Sequence, residues 1–150
     1  MLGKLNSFQI ERLFLTQTHA HLGCHADGKT YVVPISYVYS DKKIYGYTID
    51  GLKIKMMRKN PEVCVQVELI EDNAHWQSVI AWGTFRELSG READDAIQLF
   101  SSRLHPYRNS LTQRPKHGLE QVKASYSNES SMIAFEISVN EMTGRFEKSL

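Results

Sequence analysis

The chain has 150 residues, 41% of them hydrophobic, which suits one domain with a full core and leaves little room for a second. Lys and Arg number 18 against 17 acids, a formal net charge of +1 that excludes nucleic-acid or membrane binding driven by bulk charge. The two cysteines, Cys24 and Cys64, form neither a C-x-x-C pair nor a metal-ligand ladder, and no run reaches the apolar length of a signal core or a membrane span, so a single reduced, cytoplasmic domain over residues 1–150 is expected.

Ser7 is placed to cap a short helix to about Leu15, in which Ile10, Leu13 and Phe14 recur at helical spacing. From Thr18 the period becomes two. Ala20, Leu22 and Cys24 alternate with His19, His21 and His25, which predicts a strand. Asp27-Gly28 supplies a tight hairpin turn, and TYVVPISYVY reads as the returning strand. Pro34 in its middle cannot donate a ladder hydrogen bond, so this strand belongs at an edge, at a bulge, or where a ligand replaces a neighbour. SDKK turns the chain again into KIYGYT.

YGYTIDGLKIKMMRKNP then predicts a turn and a helix closed by Asn60-Pro61, with Leu52, Met56 and Met57 toward the core. Its cations begin early: Lys53 and Lys55 lie in the first turns, where the helix dipole disfavours positive charge by about 0.3–1 kcal/mol each. An anion would reverse that cost, because free backbone N–H groups, the Thr48 hydroxyl and the Lys53 ammonium can converge on one phosphate. The competing reading is a solvated basic face, and the stretch lacks the glycine pattern of a P-loop or dinucleotide fold.

Next comes EVCVQVEL, with Val63, Val65, Val67 and Leu69 on one face, and WQSVIAWGTFREL, a long strand bent or bulged at Gly83. READDAIQLFSSRL predicts a helix that turns Ala93, Ile97, Phe100 and Leu104 inward. Residues 105–131 read as a long polar loop with one short helix near Gly118 to Ala124, SMIAFEISV as the last strand, and NEMTGRFEK as a polar tail. About six strands with three marginal helices predict a mainly β, antiparallel, closed or partly closed barrel, with a sandwich as the competitor. Among the reactive side chains, His19, His21 and His25 share a strand face on which imidazoles can hold a metal, but a polar surface is the simpler reading. No nucleophile stands out; Ser78 lacks a G-x-S-x-G setting.

From Leu22 to Leu88 the chain resembles the pyridoxamine phosphate oxidase-like family of FMN-binding split β-barrel proteins. The flavin-nucleotide-binding and nitroimidazole-resistance branch is the most similar. DGKTYVVPISYVY, IYGYTIDGLKIKMMRKNP, VCVQV and SVIAWG carry the likeness, in that order. The resemblance implies a split barrel and a homodimer with FMN at the subunit interface. It implies that Val32, Val33, Pro34, Ile35 and Ser36 lie along the isoalloxazine ring. Tyr47, Thr48, Gly51, Leu52 and Lys53 would surround the phosphate, with Lys53 as the phosphate lysine. Gln77, Ser78 and Val79 would reach the partner's site, joined by Arg145. Three departures stand out. Leu52 occupies the place of an arginine in the oxidases proper, SVNEMTGRFEKSL lacks their Trp and Arg substrate pattern, and Tyr47 stands where the nitroimidazole branch often has His. The expectation is an oxidoreductase that reduces or oxidises a small molecule through FMN, with NAD(P)H as a candidate donor. It has no resident metal and no nucleic-acid or membrane partner. A non-enzymatic flavin carrier or sensor and a haem-binding or haem-degrading barrel are the alternatives.

Overall fold

In the computed structural model, which describes residues 1–104 and 132–149, the period-two segment folds as β2 (His19–Ala26). Ala20, Leu22, Cys24 and Ala26 are buried while His19, His21 and His25 are exposed, as the alternation requires. Asp27 and Gly28 both take positive φ, +53° and +74°, and turn the chain into β3 (Lys29–Ser36). After Tyr37 alone comes β4 (Val38–Ser40), and a second positive-φ turn at Asp41-Lys42 leads to β5 (Lys43–Ile49). The returning strand expected over TYVVPISYVY is thus two strands.

The helix α1 (Ser7–Thr16) is capped by Asn6, not Ser7. Asn6 Oδ1 accepts from the Gln9 N–H, and Gln9 Oε1 accepts from the Asn6 N–H, both at 2.9 Å. In α2 (Leu52–Lys59) the buried positions are Ile54, Met56 and Met57. Leu52 is 51% exposed and does not join the core. Beyond α2 lie β6 (Glu62–Asp72), β7 (His75–Glu87), α3 (Gly90–Leu104) and β8 (Met132–Glu147), and a short β1 (Leu2–Lys4) precedes α1. Val63, Val65 and Val67 line the interior, whereas Leu69 emerges into solvent where β6 runs past the core. The residues read as a polar tail are the second half of β8, paired with β7 from Trp76↔Glu147 to Trp82↔Glu141 and with β1 at its end. The short helix foreseen near Gly118 to Ala124 lies outside the described residues.

All eight described strands form one antiparallel sheet in the order β3-β2-β6-β7-β8-β5-β4, with β1 on β8. Its two outermost strands, β3 and β4, are consecutive in the chain and separated only by Tyr37, so the sheet must roll until its edges meet. That geometry is a split barrel and excludes a two-sheet sandwich. Tyr37 pins the junction: its hydroxyl donates to the Phe14 carbonyl at 2.7 Å and its N–H to the Thr18 carbonyl at 3.1 Å. Gly83 permits the bulge between β7 and β8, since a Cβ there would lie 2.4 Å from the Ser138 carbonyl oxygen. The barrel is filled by Leu22, Ile44, Val65, Val67, Val79, Phe135 and Ile137, with Phe14 from α1 and Ile54 and Met57 from α2.

Candidate functional site

β5 ends at Ile49, and a tight turn, with the Gly51 N–H bonded to the Ile49 carbonyl at 2.9 Å, starts α2. Gly51 is the N-cap in extended conformation; no side chain caps the helix and no acid stands in its first turn. Two helices of one chain therefore begin in opposite ways. In α1 the side chains of Asn6 and Gln9 close a capping box, while no side chain caps the first N–H groups of α2.

The four cations of α2 separate by their partners. Arg58 is held by Glu87 at 2.8 Å and Asp50 at 3.1 Å, and Lys59 by Asp27 at 2.5 Å. Lys55 is exposed to water. Lys53 is half-buried and forms no ion pair with any of the described residues; burial pushes its ammonium below the usual lysine range, with the Cys24 thiol acting weakly in the other direction. A partly desolvated cation without a counter-ion is unfavourable, and an anion placed beside it would relieve the cost.

β3 is an edge strand, one of the settings Pro34 allows, so its backbone groups facing away from β2 have no ladder partner among the described residues. Val32, Pro34 and Ser36 point outward, Val32 being 63% exposed, while Val33 and Ile35 turn toward the core. Tyr47 and Thr48 are half-buried opposite Ala134 and Ile133. β3 and β5 come within 8 Å between Cα atoms, and α2 packs on β2, the neighbour of β3. The fold thus places β3 near β5, and α2 on the strand that neighbours β3.

Gln77, Ser78 and Val79 do not join them within a single protomer. They lie on β7, three strand spacings or about 14 Å from β3. Val79 is fully buried and faces the core. Gln77 lines a small cavity with Leu5, Trp76 and Phe146. The Ser78 hydroxyl, on the outer face, accepts from Gln66 Nε2 at 3.0 Å, opposite the exposed Arg145 of β8. The outer face also carries a groove of about 570 Å³ lined by Gly23, Val32, Cys64, Trp82, His25 and Thr30, with Trp82 40% exposed. Neither Cys64 nor Trp82 was singled out for this role by the sequence. The available signal was parity: Trp82 is out of phase with the buried Val79 and Ala81 of its own strand. Each of the three strand histidines meets a neutral group through Nδ1: Thr18 at 3.0 Å, Gln66 at 3.2 Å and Thr30 at 3.0 Å.

Comparison with known proteins agrees with this fold. A family model for pyridoxamine 5'-phosphate oxidase matches residues 7–146. An uncharacterized protein of Rhizobium meliloti (strain 1021) is 33% identical over 130 residues, covering 84% of this chain and 82% of that protein. The crystal structure of a FAD-binding protein from Mesorhizobium loti is similar with a TM-score of 0.75 and 25% identity, over 99% of each chain. A FAD-binding protein from Mycobacterium smegmatis shares the fold with a TM-score of 0.63 at 16% identity, over 96% of this chain and 97% of that one. The family match runs from Ser7 at the start of α1 to Phe146 near the end of β8, so it takes in the rolled sheet and the α2 site together, and the chain belongs to the pyridoxamine 5'-phosphate oxidase family.

Proposed function

We propose that the protein is a cytoplasmic, homodimeric flavoprotein that binds FMN with its phosphate at the start of α2 and its ring along β3, and that it oxidises or reduces a small molecule. Lys53 carries the reading: a half-buried cation with no acid partner among the described residues, at a helix start without a cap, is what a phosphate needs. When bound, the flavin supplies the hydride and electron transfer. The chain's own groups bind and orient. Lys53 and the first N–H groups of α2 neutralise the phosphate, and the Thr48 hydroxyl donates to it. The unpaired backbone edge of β3 meets the polar side of the ring, and Val32 and Pro34 offer it an apolar surface. Leu52 contributes no charge where the oxidases proper have arginine, which leaves one phosphate contact fewer.

A second copy explains two further features. Val32 and Trp82 expose apolar surface on the outer sheet face, and Gln77, Ser78 and Arg145 lie too far from β3 to serve their own protomer's site. Docking the outer faces of two copies would cover the first pair and bring the second group toward the partner's flavin. The free thiols Cys24 and Cys64 suit a reducing compartment.

FAD is the second reading, favoured by the Mesorhizobium loti protein, which is similar over the full chain length. The absorption spectrum of the purified protein, with the released chromophore identified by mass, tests the proposal. FMN is expected; FAD would favour the second reading, and a protein that takes up neither flavin would contradict both. Anaerobic mixing with NADH or NADPH then separates an oxidoreductase, whose flavin band bleaches, from a carrier, whose band persists.

A further inference from the structure

At the tip of the β6–β7 hairpin, away from α2 and β3, two side chains close in sequence meet a third that is distant from them. Asp72 ends β6 and His75 opens β7, so the two-residue turn between them places their side chains opposite one another. The Asp72 carboxylate contacts His75 Nδ1 at 2.8 and 2.9 Å and accepts the Ala74 N–H at 2.7 Å. Those contacts alone describe an ordinary hairpin turn, and they use only one ring nitrogen. The other, Nε2, lies 2.8 Å from the hydroxyl of Ser149, which follows β8 back to this end of the barrel.

We propose that Ser149, His75 and Asp72 form a nucleophile–base–acid relay that hydrolyses small carboxylic esters. The carboxylate on Nδ1 selects the tautomer that carries its proton there, which leaves the Nε2 lone pair to accept the Ser149 proton. The Ala74 N–H, and then His75, hold the Asp72 carboxyl below the usual range, so it remains an anion beside the ring. A cavity of about 220 Å³ adjoins the relay and is lined by His75 itself, by Trp76 and Phe146, and by the charged Glu71, Glu147 and Lys148. Its aromatic walls suit a short acyl or aryl group of a neutral ester, since Glu71 and Glu147 in the same lining disfavour an anionic one.

The steps balance without any further reactant. Ser149 Oγ attacks the ester carbonyl carbon while its proton passes to His75 Nε2. The carbon–oxygen bond to the alcohol breaks, the alcohol leaves with that proton, and the acyl group stays on Ser149. Water then gives a proton to His75 and attacks the acyl carbon. Ser149 recovers the proton, and the carboxylic acid departs.

The test uses the full-length protein with p-nitrophenyl acetate, followed by nitrophenolate absorbance and by peptide mass spectrometry of a rapidly quenched sample. Acetylation of Ser149 is expected. Ser149→Ala and His75→Gln should each lower the hydrolysis rate roughly 100-fold, the lower end of what a positioned base supplies. Bound flavin should be unchanged in both variants, because neither side chain is among those proposed to hold the flavin's phosphate or ring. Hydrolysis by Ser149→Ala at the wild-type rate, an acetyl group only on other residues, or no hydrolysis above buffer would each overturn the proposal.

Discussion

Lys53 shows how little of a residue's meaning lies in its type. Its three cationic neighbours on α2 are neutralised by acids or bathed in water, whereas Lys53 itself is half-buried and pairs with no acid among the described residues. Burial favours the neutral amine, so Lys53 loses its proton at a lower pH than an ordinary lysine. Phosphate attraction needs the charged form. FMN affinity should therefore hold at neutral pH and fall as pH rises through the Lys53 titration, while riboflavin, which has no phosphate, should show no such limb. Fluorescence titrations of both ligands across the alkaline range would check this, and parallel losses would place the titrating group elsewhere. The oddity of Lys53 was legible in sequence because helix dipoles give early cations a sign. The Ser149–His75 contact was not, since 74 residues separate the pair and only the return of β8 brings them together.

Among the elements, α1 and α2 contrast most. α1 is closed at its start by the reciprocal Asn6–Gln9 bonds, and Asn6→Ala should cost about 1 kcal/mol of stability in thermal or urea unfolding, with flavin affinity unchanged. A loss well below that would mean the box adds little beyond the packing of Ile10, Leu13 and Phe14. Elements with a strong period were readable from sequence. β2 alternates cleanly, and of the three settings Pro34 allowed, an edge, a bulge or a ligand in place of a neighbour, β3 occupies the edge. The second half of β8 was missed because its outward positions are Glu141, Thr143, Arg145 and Glu147, and its inward ones include only Met142, Gly144 and Phe146. Pairing with β7, not local hydrophobicity, makes it a strand. β1 and β4 are three residues each, too short for a period of two to declare itself. Leu52, core-facing in the helical spacing but a phosphate neighbour in the family resemblance, is 51% exposed, because an apolar residue at a helix start need not point inward.

At the scale of the molecule, one sheet rolled until β3 and β4 adjoin creates both the edge that β3 offers and the outer face on which Val32 and Trp82 lie. A second copy docked on that face would make dimerisation and flavin binding one property. Trp82→Glu would bury an uncompensated charge there, so sedimentation velocity should shift from dimer to monomer and flavin should be lost with it. A variant that is monomeric yet retains full flavin would separate the two. The central claim is that Lys53 and the start of α2 hold the flavin's phosphate, and comparing FMN with riboflavin in wild type and Lys53→Ala tests it most directly. Wild type should prefer FMN by about 10- to 150-fold, the 1.5–3 kcal/mol of a hydrogen bond to a charged group, and the variant should lose most of that preference. A Lys53→Ala protein that still prefers FMN by the wild-type margin would contradict the account.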